Sequence, residues 1–368
     1  MNINDWYNLL FSIYIVCGIC YALAFGLDAG KAPRIIMIFW ILIILIFTAN
    51  RPIDVGTDTQ MYANIFELYS SDITYDYIPV HQQLSYFFYI VGKFASAIDK
   101  QFSIFVYCIS GLFLASVYYA FKLIFGQKWH FPFFFFSSTF IYYSFLFNLI
   151  RNSLIVGGVF FVLYLFFFNP TAKRRVIGLI LIVVLSFIHS SAGFVGLAIL
   201  GSSFLKSEKQ AFVVWFLTLT LAIFGADIFH YVQTTIISLF PNSALGYKTG
   251  VYDRVTKTTG FRVDFVLFTF LFGVVGYFVS VNWKNPFYAN LVKWYLIQGS
   301  IFMLFFSFPY VDRIACLAWM GFPLIIGYPA VYWQGFKPYK LQIAFLTFLF
   351  GILNLILVAR YDFHLELF

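Results

Sequence analysis

Long apolar runs, separated by short polar stretches, follow one another along most of the chain. A helix needs about 20 apolar residues to cross the roughly 30 Å of hydrocarbon in a bilayer, where no water satisfies the backbone. The runs predict about twelve transmembrane helices, near residues 7–25, 33–49, 102–120, 131–147, 153–168, 176–187, 192–205, 211–230, 265–281, 291–308, 314–332 and 341–358. The predicted fold is therefore all-α and polytopic, a single transmembrane domain over residues 1–368.

Charged residues alternate between the loops in a way that predicts an orientation. Lysine and arginine concentrate in every second loop, and among the acids only Asp28 and Glu208 accompany them there. The positive-inside rule makes these loops cytoplasmic. Both termini and two longer loops, at 50–101 and 231–261, then face the outside.

The segment 83–97 is apolar, yet it does not fit this scheme as a further span. It is short, Lys93 interrupts it, and counting it as a crossing would move the basic stretch 173–175 to the outside. We predict a helix that lies at the outer interface or dips part-way into the bilayer.

Composition narrows the classes of function. The chain is 62% hydrophobic and 10% charged, with a net charge of +8. The basic residues are scattered through short loops and do not form the basic stripe of a nucleic-acid-binding protein. The four cysteines lie in apolar runs and are interpreted as core residues. Neither a Walker loop nor a zinc-ligand spacing occurs in the sequence, which argues against ATP hydrolysis and zinc proteolysis, and no metal or other cofactor is predicted.

One compact polar phrase stands out near the start of this apolar chain. It reads RPIDVGTDTQMY from Arg51 to Tyr62. Charged groups beside a bilayer are costly, and their default interpretation is a functional one. Gly56 permits a tight turn, and Thr57 or Asp58 could cap a short helix that continues through Tyr62. The alternative is a solvated acidic loop whose aspartate only caps that helix.

Three further polar positions fall on the same predicted outer side. Arg151 and Asn152 lie at the tip of a predicted helical hairpin. His189 lies in a turn between two limbs of about 20 Å each, which are short for a bilayer. Arg313 follows Tyr310 in a late turn. Simpler interpretations exist for these residues: the arginines could only extend their side chains to the membrane interface, and His189 could only pack against a backbone partner. Arginines beside a carboxylate and a histidine nevertheless suit a lipid-linked diphosphate and an acid–base step.

The order of these motifs resembles the EpsG-like family of polysaccharide polymerases, Wzy-type enzymes of O-antigen, capsule and exopolysaccharide synthesis. The resemblance is carried by residues 51–62, by R-N-x-L at 151–154, by I-H-S-S-A at 188–192 and by Y-x-x-R at 310–313. Two features differ from the family pattern. Asn152 stands where members often have glutamine. No Glu-Pro-Gly-like phrase follows the first loop, and Asp76 or His81 could substitute for the missing glutamate.

The resemblance implies a membrane glycosyltransferase, with a GT-C-like helix arrangement as one expectation. It would transfer a growing glycan from undecaprenyl diphosphate onto a new lipid-linked repeat unit, at the periplasmic face of the bacterial cytoplasmic membrane. Membrane lipid is a further implied partner, a chain-length regulator protein is a candidate partner, and nucleic acid is not implied. The resemblance implies diphosphate binding for Arg51, Arg151 and Arg313, with Arg151 in a catalytic role, and it implies Asp58 or His189 as the base. Asp54 and Tyr62 would support the first loop. The remaining substrate-binding residues implied, together with these two, are Thr57, Asn152 and Tyr310.

Three other functions compete with polymerisation. A ligase that moves finished glycan onto a lipid A core needs the same donor chemistry, so only product analysis separates it from a polymerase. A transporter or flippase of lipid-linked oligosaccharide predicts polar groups along a path and broken helices at mid-depth, for which Asn354 and Gln298 are candidates. A membrane acyltransferase needs a cytoplasmic donor site, and no cytoplasmic loop is long enough to build one.

Overall fold

A computed structural model describes residues 2–78, 84–168, 170–224, 235, 263–306 and 311–362 of the chain. These residues form helices joined by short turns and contain no β-strand. The helices are α1 (Ile3–Gly26), α2 (Ala32–Ala49), α3 (Thr59–Ser70), α4 (Tyr86–Ile98), α5 (Phe102–Phe125), α6 (His130–Ser137), α7 (Phe140–Phe147), α8 (Ile150–Phe167), α9 (Ala172–Ile188), α10 (Ala192–Ser203), α11 (Glu208–Ile223), α12 (Val263–Trp283), α13 (Pro286–Leu304), α14 (Val311–Trp319), α15 (Phe322–Tyr332) and α16 (Lys340–Asp362). Short 3-10 turns lie at Tyr75–Tyr77, Gly126–Lys128 and Gln334–Tyr339.

Within the described residues, 7 helical stretches are long and apolar enough to cross a membrane, judged by length and composition. They are Ile3–Gly26, Ala32–Ala49, Phe102–Lys128, Ile150–Phe167, Val263–Trp283, Arg313–Tyr332 and Gln334–Ala359. The other predicted crossings fall on shorter or less apolar helices. Residues 225–230 of one of them and residues 307–308 of another lie outside the described part. The predicted class, an all-α polytopic membrane protein, is confirmed.

The chain divides into two compact units. Unit 1 contains residues 1–193 and 326–368, and unit 2 contains residues 194–325. The borders fall inside α10 and α15, which are both apolar. No loop or change of composition marks either border, so the sequence pattern gives no sign of this division, and the single transmembrane domain stays a prediction.

Antiparallel packing orders the long helices of unit 1. Trp6, near the start of α1, lies with its ring 6.0 Å from that of Phe47, near the end of α2. The Tyr7 hydroxyl donates to the Leu355 carbonyl oxygen of α16 at 2.9 Å. The start of α1 and the ends of α2 and α16 therefore lie together. We call this the loop end of unit 1, because the polar loop after α2 begins there.

Three more helices of unit 1 continue this order. α5 runs antiparallel to α2 and parallel to α8, whereas α9 runs antiparallel to α8. The contacts that set these directions are Asn50 with Tyr107, Gly157 with Ser116, Phe160 with Phe121, Gly158 with Leu185, and Gly178 with Phe166. The starts of α5 and α8 and the end of α9 consequently lie at the loop end.

Basic residues from the loops that the sequence assigned to the cytoplasm lie at the opposite end of unit 1. The Arg34 guanidinium donates to Gln127 Oε1 at 2.6 Å. Lys340 forms a salt bridge with Asp28, also at 2.6 Å. Polar and basic loops are thus separated between the two ends of unit 1, as alternation of the loop charges predicted.

The predicted span at 131–147 is interrupted, because Ser138 and Thr139 separate α6 from α7. Amide groups at the start of a helix lack an intrahelical acceptor and need another one. The Thr139 side chain caps the first turn of α7, and Asn354 Oδ1 accepts from the Phe140 amide at 3.1 Å. The hydropathy pattern misses this break because both halves are apolar and one of the two acceptors comes from a distant helix.

α4 occupies most of the apolar segment 83–97 and begins at Tyr86. The Ser85 side chain caps it, and Phe88 lies on its buried face while Phe94 is exposed. At 1.5 Å per residue the helix is about 20 Å long, which is less than the thickness of the hydrocarbon. Its position at the membrane interface stays a prediction.

Buried polar contacts join the helices of unit 2. Lys293 of α13 donates to the Leu205 carbonyl oxygen, just after α10, at 2.9 Å. The Trp319 indole N–H donates to Thr269 Oγ1 at 3.1 Å and so joins α14 to α12. A second interruption separates α14 from α15 inside the span predicted at 314–332.

Candidate functional site

The loop after α2 folds into a tight turn. The Val55 amide donates to the Pro52 carbonyl at 3.0 Å, and the Val55 side chain is buried. Gly56 has a φ of +91°, which residues with a side chain rarely adopt, so the predicted turn at this glycine is confirmed. A Cβ atom on Gly56 would lie 2.8 Å from Asn148 Oδ1 and would also meet the Phe147 carbonyl. The turn therefore brings the loop backbone against the end of α7.

Asn148, which ends α7, holds the loop in place. Its Oδ1 accepts a hydrogen bond from the Thr57 amide at 2.7 Å. α3 begins two residues later, so the short helix predicted after this turn is confirmed. Asp58 occupies the N-cap position and is half-buried, but its side chain makes no capping hydrogen bond. Asp54 and Thr57 are exposed.

Arg51 is a buried cation at the root of the loop, with 9% of its surface exposed. It donates to the Thr48 and Leu146 carbonyls at 3.1 and 3.2 Å, and to Thr59 Oγ1 at 3.2 Å. The guanidinium carbon lies 5.9 Å from the centroid of the Phe147 ring. Burial lowers the pKa of Arg51 to about 10, so the group is charged at neutral pH. Arg51 thus joins α2, α3 and α7, and its contact with a diphosphate stays a prediction.

An apolar cluster gathers α3, α4, α5 and α8 beside this loop. The rings of Tyr62 and Phe88 lie 5.7 Å apart in it, and α8 contributes Ile150 and Leu154. Ile188, at the end of α9, packs against the same cluster. The starts of α3 and α8 and the end of α9 consequently surround one apolar core.

Arg151 lies in the first turn of α8, which begins at Ile150 rather than at the predicted residue 153. Its Nε atom is buried and makes no hydrogen bond within the described part of the chain. The same holds for the Nδ2 atom of the buried Asn152. The start of a helix favours anions, because its amides and dipole present positive charge there. Two unused donors and a helix start therefore coincide at this point.

His189 ends α9 and turns the chain toward α10. The Ser191 amide donates to His189 Nδ1 at 3.2 Å, and Ser191 Oγ lies 2.6 Å from the same nitrogen. A ring nitrogen that accepts a backbone N–H carries no proton, so the neutral imidazole holds its proton on Nε2. In this geometry Nε2 is a hydrogen-bond donor.

Packing of α8 against α9 fixes the relative height of Arg151 and His189. A Cβ on Gly158 would lie 2.6 Å from Leu185, and the two helices are antiparallel. Leu154 therefore comes level with His189, and Arg151 lies about 4.5 Å further along the axis, at 1.5 Å per residue. Both side chains belong to the loop end of unit 1, where the loop held by Asn148 also lies.

The remaining predicted site residues belong to unit 2, lie outside the described residues, or lie in an exposed turn of unit 1. Arg313 belongs to unit 2, near the start of α14, and is half-buried. Tyr310 and His81 lie outside the described residues, as does the predicted loop 231–261 except for Thr235. Asp76 is exposed in the turn Tyr75–Tyr77.

Sequence reasoning gave no role to Asn148 or Thr59, which anchor the loop. Asn148 had a usable signal, because it belongs to the same predicted outer turn as Arg151. Thr59 also had a signal, because it belongs to the polar phrase 51–62, and its partners Arg51 and Val55 lie in the same phrase. Among the described residues, no group of three or more His, Cys, Asp or Glu side chains could hold a metal ion.

Comparison with known proteins gives a family for the chain. The model of the EpsG family matches residues 34–365, a range that contains the first loop, Arg151, His189 and Arg313. No curated protein and no solved structure matches the chain. Because the matched range covers most of the sequence, the chain belongs to the EpsG family.

Proposed function

We propose that this membrane protein of the EpsG family is a repeat-unit polymerase. It transfers a growing glycan from undecaprenyl diphosphate onto a new lipid-linked repeat unit, at the outer face of the bacterial cytoplasmic membrane. The family supports a protein of the polysaccharide polymerase type, and the apolar helices support a place in the membrane. The observation that carries the finer proposal is the grouping of the polar loop, Arg151 and His189 at one end of unit 1.

The transfer replaces one bond at the anomeric carbon by another. A hydroxyl oxygen of the acceptor sugar attacks this carbon, and its proton passes to a base. The bond from the carbon to the diphosphate oxygen breaks, and undecaprenyl diphosphate leaves with the bonding electrons. Donors that are fixed in advance where this negative charge develops lower the barrier.

Arg151 and Asn152 are the donors best placed for the leaving diphosphate. Both carry a buried nitrogen that makes no hydrogen bond within the described residues, and both lie in the first turn of α8. A guanidinium bonds two phosphate oxygens at once and stays charged. The second diphosphate, that of the acceptor, is assigned to Arg313 with Tyr310, as the family resemblance implies.

The hydrogen bonds of His189 favour Asp58 as the base. With its proton on Nε2, the neutral imidazole can donate to an anion but cannot accept a hydroxyl proton at that atom. Asp58 follows Thr57, whose amide is bonded to Asn148, so it lies close to the start of α8. We therefore assign proton abstraction to Asp58 and a hydrogen bond to the diphosphate to His189, while Arg51 positions the loop.

Polymerisation of a synthetic lipid-linked repeat unit by the purified full-length protein tests this assignment. Asp58→Asn is expected to lower turnover by about 10²- to 10⁴-fold, the usual contribution of a positioned base. His189→Gln keeps a donor near the position of Nε2, so it should retain more activity than His189→Ala. Arg151→Lys should be slower than wild type, because lysine cannot bond two oxygens in a fixed plane.

Asp28→Asn is the matched control, since Asp28 lies at the opposite end of unit 1 in a salt bridge with Lys340. We expect normal product ladders from it. Intact ladders from alanine variants of Asp58, Arg151 and His189, at normal protein levels, would overturn the assignment. Product consisting of glycan on lipid A core, rather than lengthened lipid-linked glycan, would instead indicate a ligase.

A further inference from the structure

Four tyrosines pack together beside the start of α4. The Tyr75 ring lies 5.3 Å from that of Tyr86 and 5.4 Å from that of Tyr89. Tyr86 and Tyr89 stack at 6.0 Å, and Tyr69 meets Tyr89 edge-on at 5.2 Å. We call these four residues the tyrosine cluster.

The tyrosine cluster has a buried base and an exposed outer layer. Tyr69 and Tyr89 are buried, Tyr75 is half-buried, and Tyr86 is 59% exposed. The Tyr75 hydroxyl donates to the Leu84 carbonyl, which fixes the orientation of its ring. The two outer rings are thus held in place by contacts below them, and little freedom is lost when a ligand binds.

Cations border the tyrosine cluster. Lys93 Nζ lies 5.6 Å from the Tyr89 ring and donates to the Ser71 carbonyl at 2.5 Å. Burial raises the pKa of the Tyr75 hydroxyl, the carboxylate of Asp76 adds to this increase, and the positive charge of Arg151 opposes it. Ile150, the neighbour of Arg151, belongs to the apolar cluster on which Tyr75 packs. Tyr75 therefore lies within electrostatic reach of Arg151, and Tyr86 packs directly on Tyr75.

We infer that Tyr86 and Tyr75 bind a pyranose ring of the lipid-linked glycan next to Arg151, an inference that rests on the proposed function. A pyranose has a face of C–H groups and a rim of hydroxyls. An aromatic ring with a polar tip presents the matching pair of surfaces. Because the first sugar is bonded directly to the diphosphate, a diphosphate held at Arg151 brings the sugars to its immediate surroundings.

The competing explanation is that Tyr86 only anchors α4 at the membrane interface, where tyrosine is common. Leucine at this position keeps an apolar side chain but removes the aromatic face and the hydroxyl. Phenylalanine keeps the face and removes the hydroxyl alone. The two substitutions together therefore separate stacking on a sugar from burial in lipid.

The test measures binding of the native repeat-unit oligosaccharide, released from its lipid diphosphate by mild acid, to the full-length protein in nanodiscs. Tyr86→Leu should weaken binding about three- to tenfold, the size of one aromatic contact, and Tyr86→Phe should stay within about twofold of wild type. Tyr339→Leu is the control, because Tyr339 is 56% exposed and precedes α16 at the opposite end of unit 1. It should bind as wild type does.

Arg151→Lys separates this inference from the proposed function. It should slow polymerisation but leave binding of the lipid-free oligosaccharide unchanged, because that probe carries no diphosphate. If Tyr86→Leu binds the oligosaccharide as tightly as wild type, the stacking inference is overturned. The same holds if Tyr86→Phe loses as much affinity as Tyr86→Leu. Neither result affects the proposed polymerase function, which is tested separately by polymerisation with the wild-type protein. A lower protein yield of Tyr86→Leu with unchanged affinity indicates an interface anchor and likewise overturns the stacking inference.

Discussion

Replacement of Gly56 by alanine tests how the polar loop is held against α7. Two costs add at this position. A residue with a Cβ costs about 1–2 kcal/mol at a positive φ, and the φ here is +91°. The new methyl group would also meet the Phe147 carbonyl and lie 2.8 Å from Asn148 Oδ1, and such overpacking typically costs about 1–3 kcal/mol. We expect the free energy of loop opening to fall by about 2–5 kcal/mol.

Gly30 offers a matched control for the backbone term. Its φ is +59°, and a Cβ there would have no heavy atom within 4 Å. Gly30→Ala should therefore cost only about 1–2 kcal/mol. The cost of a positive φ is common to both variants. The difference between their losses of opening free energy therefore gives the cost of the steric contact between the loop and α7.

Hydrogen exchange followed by mass spectrometry in detergent reports the opening of each segment separately. A loss of 2 kcal/mol corresponds to roughly 30-fold faster exchange, at about 1.4 kcal/mol per factor of ten. Gly56→Ala should show this increase in peptides that cover residues 50–70 and little change elsewhere, together with shorter polymer ladders. Equal effects of Gly56→Ala and Gly30→Ala on their own segments would refute the close contact between the loop and α7.

Three further substitutions test the buried polar groups. Asn354→Leu leaves the Phe140 amide without its acceptor and should lower the free energy of unfolding by about 1–3 kcal/mol, measured by unfolding in detergent. Gln298→Leu removes an amide whose two polar atoms are buried without a partner in the described residues, so it should raise the unfolding temperature; a decrease would reveal a partner. Lys293→Met removes the donor to the Leu205 carbonyl and should speed hydrogen exchange after α10, whereas unchanged exchange would contradict that capping role.

Local signals in the sequence predicted the features that depend on neighbouring residues. The turn depends on one glycine, Gly56, and the helix that follows begins only three residues later, so both could be read directly from the chain. The helices α1 and α2 follow from apolar length alone. Alternation of the loop charges predicted which ends of the helices lie together, because each crossing reverses the direction of the chain.

Features that depend on distant partners were not accessible in the same way. Arg51 is predicted as a diphosphate ligand from its charge beside a membrane helix, whereas its two Nη atoms donate to the carbonyls of Thr48 and Leu146 and to the Thr59 hydroxyl. The hydrogen bond between Thr57 and Asn148 joins positions 91 residues apart. Hydropathy and charge contain no information on such pairs, which exist only once the helices have packed.

The interrupted helices bear on the competing function of a transporter, for which broken helices at mid-depth are expected. In α6 and α7 the break lies level with the middle of α1, where Ser138 Oγ is bonded to the Tyr14 hydroxyl at 2.9 Å. Asn354, a candidate for a transport path, donates to the Phe350 carbonyl and accepts from the Phe140 amide. Groups that already satisfy one another inside the protein offer little to a passing oligosaccharide. Within unit 1, the unused donors of Arg151 and Asn152 lie instead in the first turn of α8, at the loop end, which favours chemistry at one face over passage through this unit.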